Sequence, residues 1–102
     1  MTTSIFKVTV ETLASNFSTR PVGAAARGKL LDLLDSYMAI EIDLENRTLT
    51  PSFADECIGI LAASLGLNEF KRRVKLLNVE ESTRPLVKHV ILKRCRDAEL
   101  VH

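Results

Sequence analysis

A hydroxyl-bearing helix start is the stretch of this sequence best placed to do chemistry. Thr50-Pro51-Ser52-Phe53-Ala54-Asp55-Glu56 follows an alternating apolar run and opens an apolar run that ends near Gly66. Backbone N–H groups in the first turn of a helix have no partner inside it, and the helix dipole makes that end positive. A serine placed there can cap the helix, hold an anion or carry a phosphate. Thr50 suits the N-cap, with Pro51 at the first helical position, where its missing N–H costs nothing. Ser52 also has a plain structural role open to it, as the hydroxyl that satisfies a first-turn backbone donor. Asp55 and Glu56 could form an acid/base pair, but adjacent helical residues point about 100° apart. They read instead as first-turn acids favoured by the positive helix end.

The remaining catalytic inventory is sparse. Lys71, Arg72 and Arg73, with Lys75 beyond them, form a short basic cluster. It reads as a solvated strand start or as an anion contact, and no aromatic interleaving supports nucleic acid. His89 lies inside a helix-like segment and His102 is the final residue, so no Cys–His or Ser–His–Asp constellation assembles from neighbouring motifs. Cys57 and Cys95 lie far apart, with neither metal-ligand spacing nor a disulfide framework. The four glycines form no dinucleotide or P-loop pattern. The expectation is a non-enzymatic domain with no cofactor and no metal.

Bulk properties narrow the class further. The chain has 102 residues, is 46% hydrophobic and 26% charged, and carries a formal net charge of +1. That fits one folded domain over residues 1–102, with 1–4 and 97–102 frayed. Near-neutral charge leaves no electrostatic footprint for nucleic acid. No apolar run approaches the roughly 20 residues of a membrane span. Met1-Thr2-Thr3-Ser4 lacks the basic and apolar regions of a signal peptide. Free buried thiols in a reducing cytoplasm are the simplest account of the cysteines.

Periodicity supplies the elements that must position the corner. Phe6, Val8 and Val10 alternate as a strand over 5–10. Residues 11–19 form a connection that Leu13 and Phe17 anchor. Pro21 starts an amphipathic helix over 21–36, whose Gly23 and Gly28 either weaken it or let it pack closely on a sheet. Tyr37 to Leu44 is the clearest strand, with Met38, Ile40, Ile42 and Leu44 on one face and Glu41 and Asp43 on the other. Those acids imply a sheet covered by helices on one face only, or a position near the strand end. The helix from Thr50 is apolar nearly all round and should be well buried, with Gly66 at its left-handed C-terminus. A third strand covers 74–79. Ser82 or Thr83 caps a last, basic helix. The order β-α-β-α-β-α predicts an α/β fold with one layer of parallel or mixed sheet.

The strand Met38-Ala39-Ile40-Glu41-Ile42-Asp43-Leu44 and the helix start Ser52-Phe53-Ala54-Asp55-Glu56 together resemble the STAS-like domains, small relatives of the bacterial anti-sigma factor antagonists. The helix start at Thr19-Arg20-Pro21-Val22-Gly23 and the strand at 74–78 are similar as well, so the resemblance covers roughly residues 20–94. It implies a β/α fold without a catalytic site. In the antagonists, a serine at this corner is phosphorylated by an ATP-binding anti-sigma kinase, and phosphorylation breaks the complex. Ser52 falls at that corner, flanked by Pro51 and Phe53 where the antagonists carry an aspartate and a small residue.

The expected function is regulatory protein–protein interaction. The docking surface is Thr50, Ser52, Phe53, Asp55 and Glu56, and the partner is a regulatory protein such as a histidine-kinase-type ATPase, with a homodimer as a further form. A phosphate on Ser52 would be favoured by the helix end but repelled by Asp55 and Glu56, by a few tenths of a kcal/mol. The rival expectation is a ligand-, nucleotide- or anion-sensing module, in which the same helix end and Lys71, Arg72 and Arg73 hold a phosphate.

Overall fold

Among the described residues, three short strands and a set of helices build the fold. A computed structural model describes residues 4–100. Strand β1 (Ile5–Thr9) passes into a helical turn, α1 (Val10–Leu13), and after a loop into α2 (Arg20–Ser36). Strand β2 (Ala39–Asp43) leads through a loop to α3 (Pro51–Ala54). A single π-helical turn, Asp55–Gly59, joins α3 to α4 (Ile60–Leu65), so that residues 51–65 run as one helical rod. Helix α5 (Leu67–Arg73) follows after Gly66 and enters β3 (Val74–Leu77) directly. A 3-10 turn (Glu81–Thr83) then opens α6 (Arg84–Leu100).

The strands form one sheet, in the order β1-β2-β3, with both neighbouring pairs parallel. Register explains the faces. Phe6 pairs with Ile40 and Ile40 with Val74, while Val8 pairs with Ile42 and Ile42 with Leu76. Residues in register point to the same side, so all six apolar side chains share one face. Lys7, Glu41 and Lys75 are in register on the opposite face, where neighbouring strands place opposite charges side by side. None of the three is buried. The acids of β2 therefore mark a sheet covered on one face only, the first of the two readings their alternation allows, and Asp43 also ends the strand.

Three helices stack over the covered face. The rod of residues 51–65 lies between α2 and α6, and Phe53, Ile58 and Leu61 are at most 1% exposed. Leu30 of α2, Ile40 and Ile42 of β2 and Val90 of α6 belong to the same core. Close approach depends on two glycines. A Cβ on Gly23 would lie 2.9 Å from Glu56 Cβ and 3.1 Å from the Phe53 carbonyl oxygen. One on Gly59 would lie 3.1 Å from the Val90 carbonyl oxygen of α6. Gly23 thus lets α2 pack closely on the rod rather than on the sheet, and Gly28 faces open space.

Several boundaries differ from those that periodicity predicts. β1 ends at Thr9, and Val10, 1% exposed, begins the turn α1 that turns the chain back over the core. Met38 precedes β2 and is 51% exposed, outside the core face that Ile40 and Ile42 share. Phe6 and Leu76 are partly buried against the core, not within it. The basic run at 71–73 is the last turn of α5, where cations suit the negative helix end. The 3-10 turn before α6 is capped by Glu80, whose carboxylate accepts from Ser82 N at 2.9 Å, and Thr83 is buried beneath it. Residues 97–100 continue α6, with Asp97 paired to Lys93 at 3.0 Å. The frayed ends expected at 1–3 and 101–102 lie outside the described residues.

Two substitutions separate packing from propensity. Gly28→Ala removes backbone freedom where nothing stands within 4 Å, so it should stabilise the fold by about 0.5–1 kcal/mol. Gly23→Ala should destabilise it, because the new methyl meets backbone that cannot retreat. Ile42→Ala should cost about 2–5 kcal/mol, since the side chain is 1% exposed. Urea unfolding of the three variants beside wild type measures all these values.

Candidate functional site

The corner at the N-terminus of α3 is built by Thr50. Its Oγ1 accepts from Phe53 N at 3.2 Å, which makes it the N-cap. The same hydroxyl donates to Ser18 O at 2.8 Å, and Thr50 N donates to Phe17 O at 3.0 Å. The loop after α1 is thereby fixed to the helix start. Phe17 also meets Phe53 edge to face at 5.8 Å, and the Arg47 guanidinium lies 5.5 Å from the Phe17 ring centre. Because Thr50 takes the capping role, Ser52 is not needed for it and remains partly exposed in the first turn.

Phe53 does not belong on a docking surface. It is fully buried, and its ring seats the corner on the core. The apolar run around it, with Ala54, Cys57 and Ile58, turns this side of the rod inward. The Cys57 thiol is pushed up to about 12 by burial, so no thiolate forms near neutral pH.

Asp55 and Glu56 also have structural work. Their side chains are 16% and 19% exposed, and three arginines enclose them. Arg94 of α6 grips Asp55 with two bonds, Nε to Oδ1 at 2.8 Å and Nη2 to Oδ2 at 2.6 Å. Arg20 of α2 donates to Asp55 Oδ2 at 2.9 Å and Glu56 Oε1 at 3.2 Å. Arg27, seven residues further along α2, donates to Glu56 Oε2 at 3.1 Å and to the Glu56 carbonyl oxygen. Adjacent residues point about 100° apart on a helix, so each acid reaches a different neighbour. Ion pairing between helices thus gives this acid pair a role beyond its position near the helix start.

The rod takes its π turn at these residues. Ile60 N donates to Asp55 O, five residues back. Gly59, inside the turn, would place a Cβ 3.0 Å from Asp55 Oδ1 and 3.2 Å from Arg94 Cγ. The turn thus combines close helix packing with the bidentate Arg94–Asp55 pair. Arg94 is the first cause of a lowered Asp55 pKa, about 2, and Arg20 adds to it against the opposing effect of burial.

Sequence reasoning missed the three arginines. Arg20 and Arg27 stand two turns apart and so share one face of α2, which is the one local signal for them. Arg94 carries no such signal, because its partner is 39 residues away.

Two of the three side chains in the basic cluster at 71–73 are engaged within the fold. Arg73 closes the C-terminal end of α2, donating to Leu34 O at 2.6 Å, Tyr37 O at 3.1 Å and Met38 O at 2.8 Å. Carbonyls at a helix end lack partners, and a guanidinium satisfies them. Arg72 pairs with Glu69 one turn back in α5. Lys71 alone is exposed with no ion pair among the described residues. The described residues also hold no group of three or more His, Cys, Asp or Glu placed to bind a metal, and no helix is long and apolar enough to cross a membrane.

Acid should test the Asp55 clamp. A carboxylate whose folded pKa lies below its unfolded value of 3.8 stabilises the fold above that value. The contribution is lost as pH falls from about 3.8 through about 2. Wild-type stability, followed by urea midpoint, should therefore drop across this window. Asp55→Asn should be less stable than wild type at pH 7, and its curve should be flatter there. Parallel curves for the two proteins would show that Asp55 carries no such linkage.

No curated protein and no solved structure matches this chain. A family model does match, over residues 25–84, and its description is a STAS-like domain of unknown function (DUF4325). The match takes in the part of α2 from residue 25 on, the strands β2 and β3, the helices between them and the 3-10 turn. Together with the parallel sheet and the helix that opens at Thr50, it places this chain in the STAS-like domain family.

Proposed function

We propose that this STAS-like domain is a non-enzymatic regulatory module that docks a partner protein at the N-terminal end of α3. Histidine-kinase-type ATPases and anti-sigma-like regulators are the partner class that the family resemblance favours. One observation carries the reading. Thr50 caps the helix, which leaves the Ser52 hydroxyl partly exposed and unneeded in the scaffold around it. A hydroxyl of that kind, at the positive end of a rigidly held helix, is a fit acceptor for phosphate.

The surrounding charge supports it as well. Asp55 and Glu56 would repel a phosphate three and four residues before them if they stood alone. They do not stand alone. Arg20, Arg27 and Arg94 enclose them, so the five side chains sum to +1 (three positive, two negative). The repulsion that the bare sequence suggests is therefore offset. The rival sensing site, with Arg72 and Arg73 as phosphate ligands, loses support, because both are engaged within the fold.

Ser52→Asp should separate scaffold from docking. The new carboxylate meets a favourable helix end, worth roughly 0.3–1 kcal/mol, so the variant should melt within a few degrees of wild type. An unpaired charge placed in a docked interface is costly, so recovery of partners from the native host should fall. Incubation with the recovered ATPase and labelled ATP should transfer label to wild type and none to Ser52→Ala. Equal recovery of the same partners by wild type and Ser52→Asp would refute the corner as the charge-sensitive contact.

A further inference from the structure

On another part of the molecule, α5 and α6 diverge around an apolar groove of about 320 Å³. Six of its nine lining residues are apolar. Phe70 and Val87 are 5% exposed and form the floor, Ile91 continues it, and Leu92 stands 44% exposed at the lip. The other three are Lys71, Arg84 and Lys88, and no carboxylate lines the groove. All three cations are exposed, and none has an ion pair among the described residues. Arg84 reaches only the Val79 carbonyl oxygen, at 3.5 Å. Of the acids close by in sequence, Glu69 pairs with Arg72 and Glu80 accepts from Ser82, while Glu81 is exposed and does not line the groove.

Three solvated cations thus surround one apolar floor that no carboxylate lines. We infer that this groove binds a small amphiphilic acid, with its hydrocarbon on Phe70, Val87 and Ile91 and its carboxylate among Lys71, Arg84 and Lys88. The size favours a small molecule over a docked protein. The volume lies at the lower end of ligand clefts, roughly 300–1,000 Å³. The charge favours an acid over a neutral lipid, because a carboxylate pairs its own charge with these cations and can take a bidentate bond from Arg84, whereas a hydroxyl brings no charge. The groove shares no residue with the Ser52 corner, so this inference stands apart from the docking proposal.

Decanoate and decanol, both below their aggregation limits, provide the test. They share a chain and differ in charge. Titration into the full-length protein, followed by calorimetry and by amide shifts in the nuclear magnetic resonance spectrum, should show saturable one-to-one binding of decanoate. Shifts should concentrate at residues 67–71 and 84–92. Decanol should bind at least about tenfold more weakly, as expected for loss of the ion pair with the groove's cations. Lys71→Gln with Lys88→Gln should weaken decanoate by about tenfold or more and leave decanol unchanged. Both positions are exposed, so the variant should fold, and its melting temperature checks that. No saturable decanoate binding, equal binding of acid and alcohol, or shifts clustered elsewhere would each overturn the assignment.

Discussion

The contact between the central helical rod and its two neighbours carries the rest of this structure. Helices normally pack with axes 8–10 Å apart, at a distance set by the side chains between them. Gly23 and Gly59 remove side chains at the two crossing points, so α2 and α6 come close to the rod at the turn that holds Asp55 and Glu56. That approach brings Arg20, Arg27 and Arg94 within reach of two carboxylates that are largely taken out of water. Neither half works without the other. Carboxylates sheltered in this way are costly unless matched, and the arginines reach them only because the glycines admit the helices. The exposed pairs Arg47–Glu11 and Lys93–Asp97 differ in kind, since solvated pairs of that sort contribute at most about 1 kcal/mol.

How much of this was legible in the sequence depends on how local the cause is. The alternation of Ile40 and Ile42 with Glu41 and Asp43 revealed a strand with one covered face, because a two-residue period is written in neighbouring positions. Thr50 and Pro51 marked the start of the rod for the same reason, and Gly66, with φ of 86°, marked the break after α4. The parallel order followed from the alternation of strands and helices. What was not legible depends on partners far along the chain. Arg73 reads as surface charge until the end of α2, more than thirty residues earlier, lies beside it. Asp55 and Glu56 read as helix-start acids until two other helices present their guanidinium groups. Phe53 reads both as part of a buried apolar helix and as part of the docking surface, and only the Phe17 ring folded against it decides for the core. Helix α5 was missed because it spans only seven residues, and its cations look like loop.

The clamp also decides what the candidate corner can tolerate. Its arginines are not equivalent. Arg27 has a side chain 21% exposed and holds both the Glu56 carboxylate and backbone, while Arg94 is bidentate to Asp55. Arg20 is 51% exposed and bridges the two acids by single bonds from one nitrogen. Arg27 and Arg94 therefore keep the helices in place, and Arg20 mainly adds charge at the rim. Arg20 also begins α2 directly after Thr19, close in sequence to Ser18, whose carbonyl accepts from the Thr50 hydroxyl. The start of α2 and the start of α3 are thus tied into one corner by a hydrogen bond and an ion pair. A charge arriving at this corner meets a scaffold whose own carboxylates are already neutralised and whose outermost cation is still solvated. Such a site can change its surface charge strongly while its packing changes little, which is the property a docking contact needs if modification is to regulate it.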